Sequence, residues 1–481
     1  MDKSAYKLQP NSPARKLGEA IRNWFEENHA IGKEGSGAPF LVRLEIPGDS
    51  LSLFDWLAVQ EIPERIYWSD RNDDHCIAAV GAVDRFCGPE LMAPEALMDL
   101  LSERLKAYPE GVRYFGGMAF DGERSLDDNW APFGAFWFVV PRLEIHQTKG
   151  ETRWIWHFWY DPNLSPEFQT EEQFAFLERL DFTPATPGQP FPETLDRTDA
   201  PDQEGWTEQI NTALKLFESG QLDKLVLARK SRIRFSGELN PVQLLQRLRK
   251  NNTRAFHFCF QPRAGSAFIG GSPERLFSRC NGDITSEAVA GTRPRGKTPV
   301  LDQKLETELL DSEKDRWEHL LVVDQLKSAF RDFCDAVEMP KNTSVLKLSR
   351  LQHLYAGIRG KLKKEVNEGR LLTVLHPTPA VGGTPRKEAL DWIDRLEPFA
   401  RGWYAAPVGW ISRNASEFAV AIRSGLVIGN VLNLFSGAGI VAGSLPGKEW
   451  EEIETKLVNF IRALDSGERV HSGLNRNRIN P

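Results

Sequence analysis

The chain has 481 residues, a formal net charge of −7, 41% hydrophobic residues and 26% charged residues, the balance of a soluble globular protein with length for one large or two ordinary domains. The charge is mild, with no basic stripe and no acidic tail, so nucleic acid is excluded as an expected partner. Met1-Asp2-Lys3-Ser4 lacks the apolar core of a signal peptide, no run nears the roughly 18 apolar residues of a membrane span, and five cysteines (Cys76, Cys87, Cys259, Cys280, Cys334) without CxxC spacing are expected as scattered reduced thiols in a cytoplasmic protein.

Helical periodicity opens the chain at Ala14–Asn28. Runs rich in β-branched and aromatic residues then predict strands at Phe40–Ile46, Arg65–Trp68, Cys76–Val83, Tyr114–Phe120, Ala135–Ile145 and Trp154–Tyr160. From Thr183 to Pro201 the chain holds Pro184, Pro187, Gly188, Pro190, Pro192 and Pro201. On composition this reads as a surface connection between an N-terminal part, 1–200, and a longer region, 201–470. Beyond it come a helix at Trp206–Glu218, a strand at Leu225–Phe235, a helix at Pro241–Lys250 and strands at Phe256–Gln261 and Ala267–Gly271. A long helical stretch at Leu301–Ala336 precedes strands at Val408–Ser412, Phe418–Arg423 and Val431–Phe435. The last helix, Lys448–Leu464, carries Trp450, Ile453, Leu457, Phe460, Ile461 and Leu464 on one stripe, and 471–481 is expected to be a disordered tail. Strands come in runs rather than alternating with helices, which predicts an α/β protein of the α+β kind with large antiparallel sheets.

Six stretches place chemically capable residues where bland ones would serve. Lys224, in Leu222-Asp223-Lys224-Leu225-Val226-Leu227-Ala228-Arg229, stands at the mouth of an apolar strand, where a lysine either snorkels to water or is desolvated into a base. Gly270-Gly271-Ser272-Pro273-Glu274-Arg275-Leu276 reads as a tight turn presenting Glu274. Ala290-Gly291-Thr292-Arg293-Pro294-Arg295-Gly296 reads as a glycine-rich basic loop suited to an anion, without the Gly-Lys-Ser/Thr of a phosphate-binding loop. Ser312 to His319 starts a charged helical face carrying Glu318, and Glu449 to Lys456 places Glu452 and Lys456 four apart on one face. His376-Pro377-Thr378-Pro379-Ala380-Val381-Gly382-Gly383-Thr384-Pro385-Arg386 cannot be regular structure. Carboxylates from separate helices, with no clustered Cys or His, suit Mg²⁺ rather than zinc.

Taken in this order, the six stretches resemble the chorismate-utilising enzymes over roughly Trp206 to Leu464. Leu396-Glu397-Pro398-Phe399, Ala421-Ile422-Arg423 and Ser436-Gly437-Ala438-Gly439-Ile440-Val441 add to the match, and Phe115-Gly116-Gly117-Met118-Ala119-Phe120-Asp121 extends it loosely into the N-terminal part. The late loop, His376–Arg386, resembles the isochorismate synthase branch rather than the amine-using branches; Lys224 fits that branch too, though aminodeoxychorismate synthases share the lysine. The resemblance implies two large antiparallel sheets packed together with helices outside, and it turns the Pro-rich connection into an external loop rather than a domain boundary. It implies Lys224 as a base with a lowered pKa and Glu274 as an acid with a raised one. It implies Mg²⁺ held by Glu318 and Glu452, with Glu449 as an outer partner. Chorismate is then bound by Gly291, Thr292, Ala380, Arg423, Gly439 and Lys456, while His353 is structural. The product is expected to feed menaquinone-type quinones, with siderophore or salicylate synthesis, an ammonia-using synthase and a non-catalytic chorismate binder as the alternatives. Oligomeric state is not readable from the sequence.

Overall fold

The computed structural model describes residues 12–464 apart from 29–36, 121–125, 184–190, 341 and 349. The tail at 471–481 and the first half of the Pro-rich connection therefore lie outside the described residues. In the N-terminal part the elements are α1 (Pro13–Glu27), β1 (Phe40–Gly48), α2 (Leu53–Ala58), β2 (Arg65–Ser69), β3 (His75–Gly88), α3 (Pro94–Ala107), β4 (Arg113–Met118), β5 (Phe136–Thr148), β6 (Glu151–Tyr160), α4 (Pro166–Arg179) and β7 (Thr194–Ala200). Then come α5 (Gln203–Glu218), β8 (Lys224–Phe235), α6 (Pro241–Asn251), β9 (Phe256–Arg263), β10 (Ser266–Ser272), β11 (Arg275–Cys280), β12 (Asp283–Pro294), α7 (Pro299–Asp311) and α8 (Glu313–Phe333). The chain ends with β13 (Cys334–Glu338), β14 (Ser344–Lys347), β15 (Leu351–Leu362), α9 (Glu368–Leu375), β16 (Gly383–Thr384), α10 (Arg386–Leu396), β17 (Pro407–Ser412), β18 (Ala415–Val420), β19 (Ser424–Ile428), β20 (Val431–Val441) and α11 (Pro446–Leu464).

All pairings are antiparallel. One path runs β7-β8-β20-β19-β10-β9-β2-β3-β5-β6-β1. Through Phe136–Val139, β5 also pairs with β4, and a second path continues β4-β17-β18-β11-β12-β15, with β13 and β14 on the far side of β15. The main core lies between these two sheets: Phe258, Phe260 and Phe268 from the first meet Phe277 and Phe418 from the second, and Trp137 sets its edge on Phe260. Each such ring, fully buried, contributes roughly 2–3 kcal/mol by leaving water. A second core packs helices on the outer face of the first sheet; there α11 buries Leu457, Phe460 and Ala463, while Ile453 of the same helix enters the main core, so that of the stripe its sequence predicts Ile453, Leu457 and Phe460 are buried and Trp450, Ile461 and Leu464 are half-buried. No described helix is long and apolar enough to cross a membrane.

The two ends of the chain share this ladder, since β2 lies between β3 and β9, and β4 between β5 and β17. The β4 position is tight: a Cβ on Gly116 would sit 1.8 Å from the Trp137 carbonyl oxygen, and one on Gly117 2.8 Å from the Trp403 ring.

Three local readings change. Gly270-Gly271-Ser272 is the end of β10, and only Pro273-Glu274 separates it from β11, so the segment is a kinked strand rather than a tight turn. Ala290–Pro294 is likewise strand β12, bulged at Gly291, where the register to β15 slips. The long helical stretch breaks at Ser312, whose hydroxyl accepts from Asp315 N and starts α8 afresh. Its last residues turn into β13.

Candidate active site

Three elements converge on the mouth of β8. The strand opens at Lys224, flanked by Val441 of β20 and Thr384 of β16. Lys224 is wholly buried, and its Nζ donates to Glu318 Oε1 of α8 at 2.9 Å. From α11, one turn apart, come Glu449, Glu452 and Lys456. Lys456 Nζ lies 2.7 Å from Glu452 Oε1 and donates to the Gly437 carbonyl at 2.8 Å, while Lys314 of α8 reaches Glu449 Oε1 at 2.6 Å. Each of the three carboxylates is thus bonded to a lysine.

Charge follows from that arrangement. Burial works against the Lys314 ammonium, but Glu449, Glu318 and Glu452 outweigh it and raise its pKa, so all three carboxylates share one electrostatic neighbourhood. Burial would raise Glu452, yet Lys456, Lys314 and Arg423 bring it below the usual carboxylate range. Glu449, almost fully buried, is pushed up by burial despite Lys314. Among the described residues no three His, Cys, Asp or Glu side chains come close enough together to hold a metal. The hard-oxygen donors here suit a divalent cation that completes its shell with substrate and water oxygens.

Gly439 explains how Lys224 and Glu318 meet. A Cβ there would stand 2.4 Å from Glu318 Oε1 and 3.0 Å from Lys224 Cε, so any other side chain would push the Glu318 carboxylate away from Lys224.

Glu274 sits at the kink between β10 and β11 and is 4% exposed. Its backbone is fixed on both sides. Glu274 N donates to Ser272 Oγ at 3.2 Å, and its carbonyl accepts from Val420 N at 3.1 Å. Burial, reinforced by the charge of Glu287 and opposed by Lys224, Arg71 and Arg423, pushes its carboxyl up to about 8, so it holds its proton at neutral pH. Strand pairing on both sides of the kink seals it from water.

A cleft with about 430 Å³ of open space is lined by Ala380, Arg401, Tyr404, Arg423, Gly437 and Lys456. Arg423 takes a left-handed backbone, φ 52°, a strain of the sort that collects at ligand sites. Burial brings its pKa down to about 10. Gly291, φ +69°, lets β12 bulge, and its carbonyl lies 3.1 Å from His353 Nδ1, which also lies 3.1 Å from Thr292 Oγ1. His353 is buried and its pKa falls to about 3, which fits a neutral structural role. A larger open space of about 1380 Å³ lies behind α8 among Arg316, Trp317, Leu320 and Met339. It contains none of the predicted site residues.

Arg401 and Tyr404 were not anticipated. Arg401 forks onto Glu397 and also donates to the carbonyls of Val381 and Val226, tying the late loop to β8. Tyr404 stacks on Phe435. Neither carries a sequence signal beyond its nearness to Leu396–Phe399. Arg71 and Glu287, beside Glu274, escaped notice too: Arg71 hides in a charged turn, Asp70 to Asp74, that reads as solvated surface.

Fold and site together define a class: an α+β enzyme with two antiparallel sheets and a buried lysine and carboxyl beside a cationic cleft for an anionic ligand. The chain belongs to the chorismate-binding enzymes, whose family model, "Chorismate binding enzyme", matches residues 28–465. It is 34% identical over 454 residues to isochorismate synthase 2, chloroplastic, of Arabidopsis thaliana, covering 88% of this chain and 81% of that one. It is 34% identical over 436 residues to isochorismate synthase MenF of Bacillus subtilis, covering 88% and 92%. The solved structure of MenF, the menaquinone-specific isochorismate synthase of Escherichia coli, superposes with a TM-score of 0.81 at 30% identity, over 93% of this chain and all of that one.

Proposed function

We propose that the protein is a magnesium-dependent isochorismate synthase that adds water at one ring carbon of chorismate as the hydroxyl leaves another, across the diene. The observation that carries this is that two buried groups lie within reach of each other's charge: Lys224, and Glu274, whose proton is held to about pH 8. Lys224 takes a proton from the attacking water. The new C–O bond forms, the ring double bond shifts, the old C–O bond breaks, and Glu274 delivers its proton to the departing hydroxyl. The reverse reaction exchanges these roles. Each positioned proton transfer contributes on the order of 10²–10⁴-fold.

Glu318 and Glu452 would hold Mg²⁺, which when bound supplies positive charge for the ring carboxylate. Arg423 and Lys456, with the backbone at Gly437 and Gly439, receive the enolpyruvyl carboxylate, and Gly291, Thr292 and Ala380 shape the ring pocket. The product enters menaquinone-type quinone synthesis in the cytoplasm. Purified protein given chorismate and Mg²⁺, with and without ammonia, tests the reading. Reversible formation of isochorismate without ammonia is expected; an aminated ring product as the main species, or no turnover, would refute it.

A further inference from the structure

A residue from the N-terminal part reaches the catalytic acid. Arg71, in the turn between β2 and β3, donates through Nη2 to the Pro273 carbonyl at 2.6 Å, one residue before Glu274. Its Nη1 donates to Glu287 Oε2 at 3.0 Å, and Nη2 also bonds Glu287 Oε1. Glu287 Oε1 in turn accepts from the backbone N of Arg275 at 2.7 Å, one residue after Glu274. The peptides on both sides of the acid are therefore gripped by one buried ion pair, in which the Glu287 side chain is 2% and the Arg71 side chain 12% exposed. An ion pair this dry is weak evidence for a purely stabilising role. Neither residue lines the cleft.

We infer that Arg71 and Glu287 form a clamp that positions Glu274 for proton delivery. This rests on the reading of Glu274 as the acid. The charged groups facing Glu274 are Glu287, Lys224, Arg71 and Arg423. Those facing Glu287 are Arg71, Glu274 and Tyr355, besides the Arg275 backbone. Among the charges that act most strongly on Glu274, Glu287 is the anion and Lys224, Arg71 and Arg423 are the cations. The pairing of Glu287 with Arg71 balances the two charges while both grip the backbone.

The test is the pH profile of kcat/KM, measured with chorismate and saturating Mg²⁺ for the wild type and four variants. In Glu287→Gln the cations act unopposed, so the alkaline limb set by Glu274 moves to lower pH by about one unit, with little change in KM. Arg71→Met with Glu287→Gln removes both charges: the limb returns towards its wild-type position, while kcat stays down roughly tenfold or more because the grip is lost. Arg71→Lys keeps the charge and should recover the limb but not the full rate. A limb that stays put in Glu287→Gln, with kcat lowered or not, overturns the clamp. Glu274→Gln separates the two ideas. If the limb survives in that variant, the reading of Glu274 fails; if it vanishes there yet never moves in the clamp variants, only the clamp fails.

Discussion

Replacing Glu274 by glutamine should make the protein more stable as it makes it less active. The carboxyl is 4% exposed and held at about 8, against 4.5 for an unperturbed glutamate. In the unfolded chain the group ionises near 4.5, so above that pH folding requires it to take up a proton. A raised carboxyl pKa gives stability that is present below the unfolded value and lost as pH climbs towards the folded one. At about 1.4 kcal/mol per unit the loss is about 3 kcal/mol at pH 7 and about 5 kcal/mol at pH 8, an upper figure because Glu287 and the nearby cations relax together. Glutamine fills the same space and does not ionise. Urea unfolding of both proteins from pH 4.5 to 8.5 should give curves that coincide at the acid end and diverge towards pH 8, the variant being the more stable by a few kcal/mol. Its kcat should fall roughly 10²-fold. Parallel stability curves, or an active variant, would refute the picture of a protonated acid kept at a cost to the fold.

Lys224→Ala should lower kcat/KM roughly 10²-fold or more, measured with chorismate under saturating Mg²⁺, and near wild-type kcat would move the base elsewhere. In the wild type the rate should decline on the alkaline side as Glu274 loses its proton near pH 8, and Glu274→Gln should show no such limb. Gly439→Ala puts a methyl 2.4 Å from Glu318 Oε1; it should cost roughly tenfold or more in kcat/KM with a nearly unchanged melting curve, and full activity would mean the Lys224–Glu318 contact is dispensable. Glu318→Gln or Glu452→Gln should raise the half-saturating Mg²⁺ concentration roughly tenfold or more, read by titration after chelation. Full activity in excess chelator would remove the metal from the scheme.

Much of this was legible in the residues, for reasons that differ by element. Strands such as β5 and β6 are rich in aromatic and β-branched residues, so that their type follows from composition, and α11 shows its stripe directly. β15 was missed because Gly357 and Gly360, with Arg359 and Lys361 between and after them, break the alternation; its pairing with β12 decides it instead. Helix α3 starts at Pro94 behind an uncapped Ala93, so its start is marked only by Pro94 and by Glu95 in its first turn. Lys224, Glu274, Glu318 and Glu452 stand out through their motifs, but nothing local says that Glu274 is sealed from water. That comes from β18, which lies about 140 residues further on and pairs with β11. The Arg71–Glu287 pair is invisible for the same reason, its partners being far apart in the chain.

The shared ladder also governs how the chain can come into being. During synthesis β4 emerges early, yet its second neighbour, β17, begins only at Pro407; β2 likewise waits for β9. Until the later strands leave the ribosome, the early ones expose open hydrogen-bonding edges beside apolar faces, an invitation to pair with other chains. Pairings this distant also slow the search for the native arrangement. Overproduced chain should therefore collect in inclusion bodies at 37 °C, and slower synthesis at low temperature or added chaperone should shift it to the soluble fraction.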